Sequence, residues 1–186
     1  MDKFPYVPAN VTYLAHAPLV AVLTCTDSRV DPCNILGLER HQIFEVRVAG
    51  NVASPEAIAS LQYAVNHLDV KRVIVLAHND CGAVDSAVDH LIEHHGPPTE
   101  PSAGDDDYCL NMLVYDIAHG LWEKEETRKL KGPDAEKANA EYQASKISQN
   151  AFFKKKLLAR EGPDSKKIFW LDVCWAPIGT AVNLKF

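Results

Sequence analysis

The chain has 186 residues, of which 47% are hydrophobic and 24% are charged, a composition typical of one soluble globular domain with its own core. The formal net charge of −6 argues against a nucleic-acid-binding protein, which needs a basic face. No apolar stretch approaches the roughly 18 residues of a membrane span, and the N-terminus has no signal-peptide pattern. We therefore expect a cytoplasmic protein with no membrane or nucleic-acid partner.

Short apolar runs alternate with helical patterns along the chain, and this alternation is typical of a mostly parallel sheet flanked by helices. The predicted strands, in chain order, are 19–25, 43–48, 72–77 and 168–174. The predicted helices are 32–36, 55–68, one that begins near Cys81, 110–130 and 135–159, with a loop over 96–107 and a helix end at 161–164. The sequence thus predicts a single α/β domain over 1–186 with a central sheet of four or more strands.

Two of these elements have clear boundary signals. Gly37 ends the short helix that Asp31 and Pro32 begin, and Ser54 precedes Pro55 at the start of the next helix. A serine cap followed by proline at the first helical position is a common helix start.

Chemically reactive side chains follow two of the predicted strands. Cys25 comes at the end of the first strand, and His78 and Cys81 follow the third. Open parallel sheets place their sites at the carboxyl ends of strands. Two thiolates and one imidazole suit Zn²⁺, with a fourth position for water or a carboxylate. The pattern therefore predicts a catalytic zinc site.

The segments around these residues resemble the two signatures of the β-class carbonic anhydrases. The first is Cys-Thr-Asp-Ser-Arg at 25–29, and the second is His-Asn-Asp-Cys-Gly at 78–82. Between them, Val-Arg-Val-Ala-Gly-Asn at 46–51 is similar to a third segment of that family. The resemblance is clear over 19–88 and weaker over 143–184. The resemblance is to the short forms of the family, a group that also contains carbonyl sulfide hydrolases.

The resemblance implies a function for each matching position. It implies that Cys25, His78 and Cys81 bind one zinc ion per chain and that Asp27 and Arg29 form a catalytic dyad. Its implied reaction is the attack of metal-bound hydroxide on CO₂ to give bicarbonate, and it implies a homodimer or a higher even oligomer. The residues matching Gly50 and Gly82 line the substrate pocket in the family, and glycine allows a close approach of backbone at such positions.

The motifs leave the substrate open, because CO₂ and carbonyl sulfide (COS) are both linear and both offer an electrophilic carbon. A COS hydrolase that gives CO₂ and H₂S is the alternative. A non-catalytic zinc- or redox-sensing protein is a third hypothesis, and the intact pair of Asp27 and Arg29 argues against it because zinc binding does not require that pair.

The remaining candidate residues have simpler interpretations. His90 and His94 are four positions apart, which is typical of a solvated helix end when no third ligand follows. Five cysteines, an odd number, favour free thiols. We therefore expect Cys33, Cys109 and Cys174 to be buried small hydrophobic residues.

Overall fold

Four parallel strands form a central sheet in the computed structural model, which describes residues 17–158, 170–178 and 180. The strands are β1 (Val20–Thr24), β2 (Ile43–Arg47), β3 (Arg72–His78) and β4 (Trp170–Ala176). Their order across the sheet is β2-β1-β3-β4, and every neighbouring pair is parallel. The predicted α/β class is confirmed. Residues 168 and 169 of the predicted fourth strand lie outside the described residues.

The register of the two central strands brings their carboxyl ends side by side. Thr24 of β1 is opposite Leu76 of β3, and the Thr24 hydroxyl donates a hydrogen bond of 3.0 Å to the Leu76 carbonyl. Residues that follow β1 and residues that end β3 therefore share one edge of the sheet, as the sequence predicts.

Both faces of the central strands are covered, which explains their uninterrupted apolar runs. Ala21 and Leu23 of β1 point to one face of the sheet, where they pack with the helix that follows β2 and with the helices that precede β4. Val20 and Val22 pack on the opposite side, against the short helix after β1. Alternate residues of one strand thus enter two different parts of the core.

The helices are α1 (Pro32–Leu36), α2 (Pro55–His67), α3 (Gly82–His94), α4 (Tyr108–Glu123), α5 (Gly132–Gln149) and α6 (Ala151–Leu158). The predicted boundary signals of α1 and α2 are confirmed. Gly37 ends α1 in the left-handed conformation, with φ of 64°. The Ser54 hydroxyl accepts a hydrogen bond of 3.2 Å from the Ala57 amide in the first turn of α2.

The predicted helix over 110–130 is wrong at its C-terminal end, because α4 stops at Glu123. Lys124 has extended backbone dihedrals. The Thr127 hydroxyl and the Arg128 side chain donate hydrogen bonds to the carbonyls of Leu121 and Trp122. These side-chain donors satisfy carbonyls that would otherwise need another helical turn.

The predicted single helix over 135–159 is also wrong, because it is divided at Asn150 into α5 and α6. The Asn150 side chain accepts a hydrogen bond of 3.1 Å from the Phe152 amide and another of 3.0 Å from Gln62. Asn150 therefore acts as the N-cap of α6, which starts a new helix in place of continuing the old one. The helix end predicted at 161–164 lies outside the described residues.

Within the part of the chain that the structure describes, none of the helices has the length and apolar character that crossing a membrane requires.

Candidate metal centre

Three side chains from separate positions meet at the carboxyl edge of the sheet. Cys25 directly follows β1, His78 is the last residue of β3, and Cys81 immediately precedes α3. All three are buried, and their potential ligand atoms lie within 4.8 Å of one another. Among the described residues, this is the one group of three or more His, Cys, Asp and Glu side chains that could hold a metal ion.

The imidazole of His78 presents one nitrogen to this cluster. Its Nδ1 lies 2.8 Å from the Asn79 carbonyl oxygen, so Nδ1 carries the proton and donates it there. Nε2 is then an acceptor, and it is buried without a hydrogen-bond partner in the described part of the chain. A buried unpaired acceptor is costly, and a metal ion would satisfy it. A ring N–H held by a backbone carbonyl is the usual support of a metal-binding histidine.

The spacing of the two sulfurs fits zinc. Cys25 Sγ and Cys81 Sγ are 3.9 Å apart. Two thiolates in a tetrahedral zinc site, each about 2.3 Å from the metal, are about 3.8 Å apart. The residues present therefore match a zinc ion in number, type and spacing.

The two thiols are strongly coupled electrostatically. A hydrogen bond from the Cys81 thiol lowers the pKa of Cys25 well below its usual range, and the Gly50 amide adds to this effect. Hydrogen bonding to Cys25, together with burial, raises the pKa of Cys81. Two buried neighbouring thiolates repel each other, and a divalent cation between them relieves that repulsion.

Gly50 contacts the cluster through its backbone. Its amide donates a hydrogen bond of 3.3 Å to Cys25 Sγ, and its φ of 63° places it in the left-handed region. Gly82 differs, because it is exposed at the start of α3 and a Cβ built on it would meet nothing within 4 Å. At Gly50 the backbone therefore lies close to other protein atoms. At Gly82 open space remains beside Cys81.

Asp27 and Arg29 form a fork-shaped ion pair at the edge of the cluster. Arg29 Nε donates to Asp27 Oδ1 at 3.0 Å, and Nη2 donates to Oδ2 at 2.7 Å. The Arg29 amide also donates to Oδ1, at 2.9 Å. These hydrogen bonds hold the pKa of Asp27 well below its usual range, so its carboxylate stays ionised.

The turn that carries this pair is fixed by further hydrogen bonds from arginine side chains to backbone carbonyls. Arg47 Nη2 donates hydrogen bonds of 2.8 and 3.0 Å to the carbonyls of Asp27 and Val30. Arg29 Nη2 also reaches the Asp80 carbonyl, at 3.0 Å, and so connects the two signature segments.

Sequence analysis also missed two buried polar residues of α5 that contact the cluster. Glu136 accepts a hydrogen bond from the Cys81 amide, and Asn139 donates one to the Gly50 carbonyl. Their partners lie 55 and 89 positions away in the chain. A helical spacing of polar residues among alanines was the one available signal, and on its own it is typical of an exposed face.

The other candidate histidines stay outside the metal cluster. The rings of His90 and His94 stack with centroids 4.1 Å apart, and His94 is exposed. Burial lowers the pKa of His90, and the neighbouring His94 adds to this effect. Helix α3 ends at His94, so the two histidines lie in its last turns, at the predicted helix end.

The expectation for the remaining cysteines is partly wrong. Cys174 is buried as predicted, Cys33 is half-buried and Cys109 is exposed. Cys109 lies in the first turn of α4, directly after a polar loop, and its side chain is exposed there. All five cysteines are free thiols in this structure.

A comparison with protein families connects this geometry to a known group. The family model described as carbonic anhydrase matches residues 20–162, which include the whole candidate metal centre. The chain belongs to the carbonic anhydrase family. The resemblance seen in the two signatures is thereby confirmed.

Relatives from other organisms match part of this chain. A β-carbonic anhydrase of Arabidopsis thaliana, described as mitochondrial, is 34% identical over 89 residues, which cover 45% of this chain and 30% of that protein. A carbonic anhydrase of Helicobacter pylori is 37% identical over 83 residues, which cover 40% of this chain and 37% of that protein. The matched segments thus span about a third of those carbonic anhydrases.

Solved structures of the family share the fold. A tetrameric β-carbonic anhydrase of Sordaria macrospora has a TM-score of 0.64 at 20% identity, covering 88% of this chain and 78% of that one. The Coccomyxa β-carbonic anhydrase, solved with acetazolamide, has a TM-score of 0.61 at 22% identity, covering 90% of this chain and 71% of that one. At such identities the likeness shows the β-carbonic-anhydrase fold.

Proposed function

We propose that this protein is a zinc-dependent carbonic anhydrase that interconverts CO₂ and bicarbonate. The observation that supports this most is the convergence of Cys25 Sγ, Cys81 Sγ and the unpaired His78 Nε2 within one buried cluster. In this proposal these three atoms hold one zinc ion per chain. Two thiolates and a neutral imidazole leave a fourth position for a small molecule.

When bound, zinc acidifies a coordinated water and so supplies the nucleophile for attack on the carbon of CO₂. The chain's own residues must then orient that nucleophile and accept its hydrogen bond.

Asp27 is the acceptor that the geometry favours. Its Oδ1 already receives two hydrogen bonds from Arg29, and its Oδ2 receives one. A carboxylate oxygen can accept about two hydrogen bonds, so Oδ2 keeps one position for a proton on the substrate side. Because Arg29 holds the carboxylate ionised and fixed, Asp27 can orient a polar group without taking its proton permanently.

Gly50 and Gly82 are proposed as the walls of the substrate position. The buried Gly50 brings backbone against Cys25, and the exposed Gly82 leaves open space beside Cys81. A linear molecule of three atoms needs little more than this space and one oriented acceptor.

The first experiment measures two substrates on zinc-loaded protein. CO₂ hydration is followed by stopped flow, and H₂S release is followed with COS. We expect a higher kcat/KM for CO₂ than for COS. Efficient H₂S release beside CO₂ hydration at the buffer rate would replace the proposal with a COS hydrolase, and no turnover of either substrate would favour a zinc-sensing protein.

The second experiment tests the role of Asp27. Asp27→Asn should keep zinc and lower turnover of CO₂ at least about tenfold, because the amide breaks the fork with Arg29 and loses the free acceptor. Asp89→Asn is the matched control, since it removes the same charge from an exposed position on α3. Equal turnover in the Asp27 and Asp89 variants would show that Asp27 has no catalytic role and is only structural.

We also propose a homodimer or a higher even oligomer and a cytoplasmic location. Leu19 and Tyr63 are large exposed apolar side chains near the β2 edge of the sheet, and the ring of Tyr63 lies 6.2 Å from that of Phe44 on β2. Exposed edges and apolar side chains favour pairing between copies. The Sordaria macrospora relative is tetrameric. Sedimentation equilibrium of the full chain decides between a monomer and an even oligomer.

A further inference from the structure

One face of α5 is polar and yet buried. Glu136, Asn139 and Gln143 are 1%, 0% and 0% exposed, and their spacing of three and four residues puts them on the same side of the helix. A buried polar side chain is costly unless it is hydrogen-bonded, so each of these residues needs a partner. Two of the partners belong to the candidate metal centre: Cys81 is one of its ligands, and Gly50 contacts the sulfur of another.

Glu136 holds the backbone of one candidate ligand. Its Oε1 accepts a hydrogen bond of 3.1 Å from the amide of Cys81, and its Oε2 accepts one of 3.1 Å from the indole of Trp175 on β4. The amide of Cys81 precedes α3 and has no role in the hydrogen bonds of that helix. Glu136 therefore fixes the position from which the Cys81 thiol projects.

Asn139 holds the residue whose amide contacts the other thiol. Its side-chain amide donates a hydrogen bond of 2.8 Å to the Gly50 carbonyl, and the Gly50 amide donates one of 3.3 Å to Cys25 Sγ. The Gly50 residue is thus held at its carbonyl by α5 while its N–H points at sulfur.

Gln143 fixes the orientation of Asn139. Its Nε2 donates hydrogen bonds to Asn139 Oδ1 at 3.1 Å and to Asp116 Oδ1 at 2.9 Å, while its Oε1 accepts one of 2.9 Å from the Ala53 amide. Since Asn139 Oδ1 receives a donor, its NH₂ group must face the Gly50 carbonyl. Each of the three side chains on this buried polar face therefore has hydrogen-bond partners.

We propose that Glu136 and Asn139 are positioning residues of the zinc site, with Glu136 fixing Cys81 and Asn139 aiming the Gly50 N–H at the Cys25 sulfur. The inference rests on the proposed zinc site. An N–H group that donates to a metal-bound thiolate draws charge from the sulfur and so tunes the metal, and outer groups of this kind commonly change metal affinity by roughly 10–100-fold.

The first test uses metal binding in place of activity. Asn139→Leu removes the donor to the Gly50 carbonyl, and Glu136→Met removes the acceptor for the Cys81 amide. We expect each variant to bind zinc at least about tenfold more weakly in a chelator competition. We also expect the thiolate-to-metal charge-transfer band of the cobalt(II)-substituted protein to shift.

Tyr142→Phe is the matched control. It removes a hydroxyl from the same helix, where that hydroxyl lies 3.4 Å from His119 Nδ1 on α4, and it leaves the contacts to Gly50 and Cys81 in place. It should bind zinc as the wild type does, with an unchanged cobalt spectrum. Folded Asn139 and Glu136 variants that match this control in both readouts would overturn the inference.

A measurement on the wild-type protein keeps the inference testable when a variant does not fold. With ¹¹³Cd in the site and ¹⁵N in the backbone, the amide proton of Gly50 should show scalar coupling to cadmium through the sulfur. Absence of this coupling in cadmium-loaded protein would overturn the inference. Failure of the wild type to bind any metal would instead overturn the zinc site itself.

Discussion

Gly50→Ala should destabilise the protein for two separable reasons. The residue has a φ of 63°, where an alanine costs roughly 1–2 kcal/mol relative to its preferred conformations. The added Cβ would also lie 2.5 Å from Ile117 Cδ1 and 3.2 Å from Ala83 Cβ. Ile117 is fully buried, so it must move within a packed core, and such overpacking costs about 1–3 kcal/mol.

A second glycine separates these two contributions. Gly37 has nearly the same φ, 64°, but its Cβ would meet nothing within 4 Å. Because alanine also reduces the entropy of the unfolded chain, Gly37→Ala should cost about 1 kcal/mol. Gly50→Ala should cost about 2–4 kcal/mol, since it adds the crowding at Ile117.

The assay is urea unfolding at fixed protein and zinc concentrations, with the free energy taken from the midpoint and slope. Ile117→Val removes the Cδ1 atom that the new methyl group meets. In that background the cost of Gly50→Ala should fall by at least about 1 kcal/mol, as a coupling between contacting residues. Equal costs at Gly37 and Gly50, or no coupling to Ile117, would refute the packing argument.

Three further predictions concern other parts of the chain. With iodoacetamide, the exposed Cys109 should react first and Cys33 more slowly, because burial, together with the nearby Glu45 carboxylate, raises the pKa of the Cys33 thiol; mass spectrometry of digested protein checks this order, and faster labelling of Cys33 would contradict it. Ser54→Ala should lower the free energy of unfolding by about 1 kcal/mol, since α2 loses its N-cap, whereas the exposed Ser86→Ala should have little effect. Burial raises the pKa of Tyr142 to about 12, so its folded pKa exceeds the ordinary value of about 10. The resulting contribution to stability should be complete below pH 10 and lost as the pH rises through 12. Ultraviolet absorbance should show a late tyrosine titration that Tyr142→Phe removes, and its persistence in that variant would assign it to another residue.

Local patterns accounted for the elements that place the candidate site. The apolar runs before Cys25 and His78 predict two buried parallel strands, and parallel strands bring their carboxyl ends to one edge. The caps at Ser54 and Gly37 depend on residues within one turn, so they too can be predicted from the sequence.

The features that sequence analysis missed depend on distant partners. Nothing next to Glu136 or Asn139 shows that they are buried, because their hydrogen bonds reach Cys81 and Gly50 in other elements. The division at Asn150 is similar, since part of its reason is the hydrogen bond from Gln62 on α2. Such long-range hydrogen bonds form only when the fold brings the two segments together.

Zinc-edge X-ray absorption of the zinc-loaded protein tests the central claim most directly. If Cys25, Cys81 and His78 hold the metal, the spectrum should contain two sulfur atoms at about 2.3 Å and two light atoms at about 2.0–2.1 Å, one of them an imidazole nitrogen. Cys81→Ser should lose zinc or retain a single sulfur, and Cys174→Ser should keep the wild-type spectrum. A wild-type site with no sulfur, or with three or four sulfurs, would contradict the account.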